Sequence, residues 1–297
     1  MSYSHMTLLP DRALIGLSGP DAAGFLQGLI TNDVESAAPG EAVFAGLLTP
    51  QGKILSDFLI YVRDAETYWI DCAKDRAQDL AKRLGTYRLR SKVAISDLSA
   101  ELAVGAAWGD GPRQGDAALL AAFPDPRFAP LGARIVVARS GGGEAVGAAA
   151  PSVIENAYHS HRIALAVPEG GLDYAYGEAF PHEACYDDLH GVDFKKGCYV
   201  GQEVVSRMHH RGIAKTRIAA VDAAAPLTER GAEIRAGDVP VGTLGSMDGT
   251  KGIAMIRLDR AEEAARAGIA LRVGEVALTL RRPPWASYSV HSEGAAF

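Results

Sequence analysis

GLSGPDAAGFLQGLITNDV (residues 16–34) and GLLTPQGKILSDFLIYV (residues 46–62) decide the fold, because helical patterning gives way to strand patterning between them. The first stretch opens with a helix-cap sequence and repeats apolar residues at helical spacing from Phe25, which predicts a helix to about Thr31. The second stretch holds apolar runs on either side of a turn that begins at Thr49, which predicts a β-hairpin. A helix followed by a hairpin indicates an α+β domain.

The sequence on both sides of these stretches continues the mixed pattern. The other predicted elements of this region are hairpin strands at 42–48 and 54–62, a helix at 75–84 ended by Gly85, a strand at 93–98, proline and glycine loops around Pro124, Pro126, Pro130 and 141–143, and a strand at 134–138. From Lys215 onward, short apolar runs separated by glycine turns predict a small barrel or sandwich, with one helix at 260–267.

KKGCYVGQEVVSRMHHR (residues 195–211) carries the most chemistry, because it places Cys198 between a lysine pair and two glycines. A thiol beside two ammonium groups should lose its proton more readily than an ordinary cysteine, and thiolates attack electrophiles and ligate soft metals. A helix is predicted at 202–211, with Glu203 in the first turn, where a carboxylate suits the helix dipole. Cys198 is therefore a candidate working thiol, and the alternative is a buried, inert cysteine.

The segment KGCYVGQE (residues 196–203) resembles the signature of the YgfZ/IBA57-type family of folate-binding proteins, part of the glycine-cleavage T-protein superfamily. Eight specified positions are far more specific than a lone glycine pattern. Other stretches that resemble this family are 16–34, 46–62, YRLRSKVAISD (87–97) and HRIALAVPEGG (161–171). The likeness covers almost the whole chain and is weakest at 109–147 and after Pro284.

This resemblance implies an α+β fold of the GcvT-like folate-binding type, with two α+β lobes and a C-terminal β-barrel around a central cavity. The implied domains are a folate-binding region at 6–214, a barrel at 215–285 and a tail at 286–297. The implied role is that of a tetrahydrofolate-binding accessory protein in iron-sulfur cluster assembly or repair. Cys198 would be a transient cluster ligand shared with a partner, either an A-type carrier or a client protein, because one thiolate cannot hold a cluster unaided.

Two departures from the aminomethyltransferase pattern bear on activity. The T protein carries an aspartate doublet where this chain has Ser56-Asp57, and a glutamate after its Arg-Leu pair where this chain has Ala164. We therefore expect no aminomethyltransferase turnover. The alternatives are a folate-dependent one-carbon transferase with Asp57 as general base, and a binding module without turnover.

The candidate site residues follow from these motifs. The candidate catalytic residues are Cys198 and Asp57, and the candidate residues for tetrahydrofolate or a one-carbon derivative are Lys195, Lys196, Tyr199, Gln202, Glu203, Arg207 and Arg162. Residues 195–217 contain six Lys or Arg against one acidic residue, which indicates a local surface that favours anions. This surface suits the glutamate tail of folate and an acidic protein partner equally.

A zinc site is the competing metal hypothesis. Nitrogen and sulfur donors sufficient for tetrahedral zinc come from His182, Cys185, His190, Cys198, His209 and His210. Because these donors are spread over a loop and a helix, their spacing argues against zinc.

Composition limits the class of protein. The chain has 297 residues, 48% of them hydrophobic, and a net charge of -6, which predicts a large core and disfavours nucleic acid as a partner. Its three scattered cysteines argue against a disulfide framework and favour a reducing compartment. With no apolar run of bilayer length and no signal-peptide pattern, we expect a cytoplasmic protein that does not associate with a membrane.

Overall fold

The computed structural model describes residues 3–110, 119–140, 155–212 and 214–290. The chain divides into two compact units. Unit 1 comprises Met1–Tyr158 and Leu189–Gln202, and unit 2 comprises His159–Asp188 and Glu203–Phe297. This division differs from the predicted boundary after residue 214, because residues 159–188 and 203–214 belong with the C-terminal unit.

Unit 1 contains a five-stranded antiparallel sheet. Its strands are β2 (Arg12–Ser18), β3 (Ala42–Leu48), β4 (Ile54–Asp64), β5 (Thr67–Ala73) and β6 (Ala94–Asp97), and the helices α1 (Ala22–Gln27) and α2 (Lys74–Tyr87) accompany it. The strand order is β3-β4-β5-β2-β6. Alternate residues of β4, Phe58, Ile60 and Val62, enter a buried apolar cluster with Leu26 and Leu80 of the two helices.

The sequence pattern predicted the β3–β4 hairpin correctly, but it predicted the ends of helices α1 and α2 less accurately. The β3–β4 turn is confirmed, with the Gly52 amide donating to the Thr49 carbonyl over 2.8 Å. Helix α1 ends at Gln27 rather than near Thr31, because the Thr31 amide donates to the Gly46 carbonyl of β3. Helix α2 passes through Gly85 and ends at Tyr87, so that glycine is not its terminator.

A second, four-stranded antiparallel sheet completes unit 1. Its strands are β1 (Tyr3–Leu8), β7 (Leu102–Asp110), β8 (Leu119–Pro124) and β9 (Ala133–Ala138), in the order β1-β7-β9-β8, with a 3-10 turn at Ala129–Leu131. The residues before Met6, outside the predicted domain, form part of β1. The predicted strand at 134–138 is β9, and the glycine run 141–143 lies outside the described residues.

A buried ion triad joins the two sheets of unit 1. Asp71 of β5 accepts from Arg12 of β2 over 2.7 Å and is bridged by Arg134 of β9 at 3.1 Å. The ring of Tyr61 stacks on that of Phe123 of β8, with centroids 4.9 Å apart. Because a buried carboxylate without its cations is costly, these contacts fix how the two sheets pack.

Unit 2 contains the predicted barrel. Its strands are β10 (Thr216–Ala223), β11 (Glu233–Ala236), β12 (Val239–Asp248), β13 (Lys251–Arg257), β14 (Leu271–Val273) and β15 (Val276–Arg281), which close in the order β10-β13-β12-β11-β14-β15. Its helices are the C-terminal part of α3 (Glu155–Ala164), nearly all of α4 (Gln202–Arg211), and α5 (Leu258–Arg266). Closure leaves no unpaired edge strand, and alternate residues fill the interior.

Long-range polar contacts attach residues 159–188 to the barrel. Arg162 of α3 is buried and donates to Asp173 over 2.7 Å and to the hydroxyl of Ser246 in β12 over 2.8 Å. The Ser246 amide in turn donates to Asp173 over 2.6 Å. These contacts are the physical reason that this segment belongs to unit 2.

No helix of the described ranges is long and apolar enough to cross a membrane.

Candidate thiol site

The segment that carries Cys198 packs onto unit 1 and begins with an Asx turn. One carboxylate oxygen of Asp193 accepts from the amides of Lys195 and Lys196 over 2.6 and 3.1 Å. The Asp193 amide donates to the carbonyl of Thr31, and the Thr31 hydroxyl donates to the carbonyl of Gly191 over 2.6 Å. Short polar side chains that bond nearby backbone favour such turns, so this chain path is held before it reaches the thiol.

Lys196 anchors the loop to unit 1. Its side-chain ammonium donates to the carbonyls of Gln27, Ile30 and Asn32 over 2.9, 2.7 and 2.7 Å. An ammonium has three donors, so these bonds engage all of them. Burial lowers the pKa of Lys196 to about 8, with nearby carboxylates opposing the shift. Lys196 therefore fixes the backbone and has no hydrogen left to donate to a thiolate or an anion.

The residues after the thiol are fixed by packing. Tyr199 is buried, and the Lys196 ammonium lies 5.2 Å from its ring centroid. Burial raises the pKa of the Tyr199 hydroxyl. Gly201 has φ +84°, and a side-chain carbon there would lie 2.6 Å from the Thr49 carbonyl oxygen, so glycine is required. The loop therefore packs closely, at Gly201, against the turn of the β3–β4 hairpin.

Cys198 is exposed within this fixed loop, whereas Cys72 and Cys185 are buried. Burial raises the pKa of Cys72 to about 12 and that of Cys185 to about 11. Buried thiols stay protonated and inert, whereas an exposed thiol is available to electrophiles and metals. Of the three cysteines, the structure presents Cys198 to solvent.

Helix α4 confirms the helix predicted at 202–211. Glu203 and Arg207, one helical turn apart, form an ion pair whose side chains are 84% and 53% exposed. Such surface pairs contribute little to stability. The predicted basic surface is smaller than the count of charges indicates, because Lys196 and Arg217 are buried and engaged in hydrogen bonds.

Asp57 is buried in β4 opposite Gly46 of β3. It lies on the sheet face opposite to Phe58 and Ile60, because neighbouring residues of a strand point to opposite faces. Ser56, where the T protein has a second carboxylate, donates its hydroxyl to the Leu55 carbonyl over 2.8 Å. The position next to Asp57 is therefore occupied by a buried hydroxyl.

The other predicted folate residues are divided between the two units. Unit 1 contains Lys195, Lys196, Tyr199 and Gln202, and unit 2 contains Arg162, Glu203 and Arg207. Arg162 is 1% exposed and its guanidinium donates to Asp173, Ser246 and the Val167 carbonyl. This geometry describes a brace within unit 2.

Sequence reasoning missed a second polar cluster, in unit 2. Arg217 of β10 is buried and pairs with both Asp187 and Asp188. Its guanidinium lies 4.3 Å from the ring centroid of Tyr288, whose hydroxyl is 3.3 Å from the Cys185 sulfur. Cys185 takes the left-handed φ of +61°. Only the Asp187-Asp188 doublet is visible in the sequence, and nothing local connects it to Arg217.

Of the histidines predicted as alternative zinc donors, His182, His209 and His210 have neighbouring rings. The rings of His182 and His209 have centroids 6.0 Å apart, and those of His209 and His210 are 5.7 Å apart. Within the ranges that the structure describes, no group of three or more His, Cys, Asp or Glu side chains is arranged to hold a metal ion.

A cavity of about 630 Å³ lies within unit 2, between residues 171–183 and strands β12 and β13. Its polar lining includes Glu178, Arg230 and Arg260. None of the predicted site residues lines it. The central cavity implied by the family resemblance stays a prediction.

Family comparisons agree with this architecture. Residues 13–118 match the GCVT N-terminal domain family, and residues 203–288 match the CAF17 C-terminal beta-barrel domain family. The glycine cleavage system aminomethyltransferase T of Bartonella henselae superposes with a TM-score of 0.74 over 96% of this chain and 87% of that chain. At 15% identity, this similarity shows the fold alone and confirms the GcvT-like α+β prediction.

Curated relatives establish the family. The human iron-sulfur cluster assembly factor IBA57, mitochondrial, is 31% identical over 307 residues, which cover 93% of this chain and 84% of that protein. The chain belongs to the IBA57 family. A Neurospora crassa homologue of IBA57 is 36% identical over 232 residues, which cover 72% of this chain. Because that match covers 52% of the fungal protein, the chain spans about half the length of this relative.

The names of these relatives contradict the predicted cytoplasmic location, because the human and fungal IBA57 proteins are both named as mitochondrial. The prediction rested on an odd number of scattered cysteines, on composition, and on the lack of an apolar run of bilayer length and of a signal-peptide pattern. Those features argue against disulfides, but they do not distinguish one reducing compartment from another.

Proposed function

We propose that this protein acts in iron-sulfur cluster assembly or repair, with Cys198 as a transient cluster ligand completed by a partner protein. The observation that carries the proposal is an exposed thiol on an anchored loop, in a chain whose other two cysteines are buried. The relatives named as iron-sulfur cluster assembly factors support the general role. An A-type carrier or a client protein would supply the remaining ligands.

The anchoring of the loop suits this role. A shared cluster requires that each protein hold its ligand in a defined place, because ligand positions must be met within tenths of an ångström. Lys196 and Gly201 fix the backbone on either side of Cys198 without covering the thiol. The cluster is cargo passed between proteins, so a single thiolate is sufficient on this chain.

Tetrahydrofolate binding is the finer part of the proposal, and the residues present suit it only weakly. The donors of Lys196 are all engaged, and Arg162 is buried in a network of its own. Lys195, three residues before the thiol, is exposed and is suited to a glutamate carboxylate. We therefore propose weak folate binding and assign it no step in cluster transfer. We expect no aminomethyltransferase turnover.

Replacement of Cys198 tests the thiol role. In cells that lack this protein, Cys198→Ser is expected to abolish rescue of iron-sulfur enzyme activity, while its melting temperature stays close to that of the wild type. Cys72→Ala is the matched control and should rescue if its protein level is maintained. Full rescue by Cys198→Ser would refute the thiol role.

Calorimetry tests the folate proposal separately. Titration of tetrahydrofolate at low ionic strength should release measurable heat, and salt should weaken binding if Lys195 meets the glutamate tail. Lys195→Met should lose the salt dependence, whereas Lys82→Met, also exposed in unit 1, should retain it. No heat and no protection of the folate against oxidation would reject folate binding.

A further inference from the structure

The end of helix α2 and the turn after it expose an apolar tip. We call Tyr87, Arg88, Leu89, Arg90 and Lys92 the basic knuckle. Leu89 is 89% exposed, whereas the other exposed large apolar side chains of the described residues are 39% to 51% exposed. Tyr87, within the knuckle, is one of them, at 39%. Two exposed apolar side chains therefore lie two residues apart, among the exposed Arg88, Arg90 and Lys92.

The turn holds Leu89 in a conformation that leucine disfavours. Its φ is +44°, in the left-handed region that is unfavourable for a residue with a β-carbon. The turn is closed by the Ser91 amide donating to the Arg88 carbonyl over 2.8 Å. The Lys92 amide is tied to the Asp21 carboxylate over 2.7 Å. A strained and exposed leucine on a fixed turn indicates a functional constraint at this position.

The charge around this tip is mainly positive, with the Asp21 carboxylate on the Lys92 amide as the acidic group beside it. Residues 80–96 contain five Lys or Arg and no Asp or Glu, in a chain whose net charge is -6. Arg88, Arg90 and Lys92 are exposed around Leu89. An apolar centre with a charged rim is the usual anatomy of a protein interface, and Tyr and Arg are the residue types enriched in its hot spots.

We propose that the basic knuckle docks a protein partner whose acidic surface surrounds an apolar socket for Leu89. Membranes and nucleic acids attract cations, but neither requires one apolar side chain held rigidly in a strained turn. A preformed anchor reduces the ordering cost of binding to a complementary protein socket. This proposal goes beyond the role of Cys198 and does not depend on it.

Cross-linking in living cells tests the proposal. A photoreactive amino acid replaces Thr86, which is exposed in the last turn of α2, directly before the basic knuckle. We expect a discrete protein adduct whose linked peptide is rich in Asp or Glu. Leu89→Ser should reduce its yield about tenfold or more, as expected for losing a buried leucine. Leu120→Ser, the same change at a leucine that is 51% exposed, should leave the yield unchanged.

Charge reversal at Arg90, together with binding assays on lipid vesicles and duplex DNA, completes the test. Arg90→Glu should lower the yield of the same adduct, and Cys198→Ser should retain it, which separates this proposal from the thiol role. Absence of a protein adduct, or an adduct insensitive to Leu89→Ser, would overturn the proposal. Leu89-dependent binding of the purified protein to phosphatidylserine vesicles or to duplex DNA, without a protein adduct, would also overturn it.

Discussion

Cys198 in unit 1 and Cys185 in unit 2 each lie on an irregular segment that a buried cation holds in place. The Cys198 thiol is nevertheless exposed, whereas the Cys185 thiol is buried. Lys196 donates to three neutral carbonyls and leaves Cys198 exposed. Arg217 pairs with two carboxylates and packs on Tyr288, whose hydroxyl reaches the Cys185 sulfur. What the cation binds, and what covers the thiol, decides which cysteine can react.

The difference follows from the acceptors. Backbone carbonyls hold an ammonium without bringing bulky side chains over the loop. Carboxylates hold a guanidinium through side chains, and the flat face that remains is free to stack on an aromatic ring. Burial raises the pKa of Cys185 to about 11, so its thiol stays protonated at neutral pH.

The largest expected effect is in thiol reactivity. At neutral pH, Cys198 should alkylate at least about a hundredfold faster than Cys72 or Cys185, because the buried thiols react only after local opening. Quantitative mass spectrometry after timed iodoacetamide treatment of the folded protein measures all three rates. Labelling in urea, where the rates should converge, is the control. Equal rates in the folded protein would remove the contrast between the two segments.

The next effect is in stability and concerns the Arg217 cluster. Arg217→Met should lower the free energy of unfolding by about 3–5 kcal/mol, because it leaves Asp188 buried without its cation. Arg235→Met is the matched control. That arginine pairs with Glu233 on the surface of the same unit, and its loss should cost less than about 1 kcal/mol. Denaturant unfolding measures both, and similar losses would contradict the assignment of Arg217 as a buried clamp.

Much of the fold was readable from local sequence because its patterns are local. The hairpin around Thr49, the helix from Gln202 and the barrel strands after Lys215 follow from periodicity and turn chemistry. Cys198 was predicted as a candidate thiol from its neighbours, and of the three cysteines it is the exposed one.

The buried clamps could not be read in this way. The carbonyls that Lys196 binds lie 164 to 169 residues away, so the lysine looks like one more surface charge of the motif. Arg217 and Asp187 are 30 residues apart, and Arg162 and Ser246 are 84 apart. These contacts depend on how the elements pack, and no local pattern encodes that packing. The contact between Arg162 and Ser246 is among those that place residues 159–188 in unit 2.

A smaller loss of stability is expected at Lys196. Lys196→Met should destabilise unit 1 by about 2–3 kcal/mol, because three carbonyls lose a charged donor while the aliphatic part of the side chain is kept. Lys195→Met, the same change at the exposed neighbouring residue, should alter stability by less than about 0.5 kcal/mol. Thermal unfolding compares the two variants. If Lys195→Met is the more destabilising change, the anchor is wrongly assigned.

The smallest effect is a pH dependence beside Cys185. Burial and the neighbouring Arg217 and His209 lower the pKa of His182 below 6.5, while Asp187 opposes the shift. The unfolded chain therefore takes up a proton near pH 6.5 that folded His182 does not, so stability falls as the pH drops below that value. The slope cannot exceed about 1.4 kcal/mol per pH unit for one group. Urea unfolding at about pH 7.5 and about pH 5.5 should show a larger loss for the wild type than for His182→Asn. His190→Asn, at an exposed histidine, should keep the wild-type difference. An unchanged difference in His182→Asn would mean that His182 takes up its proton equally in both states.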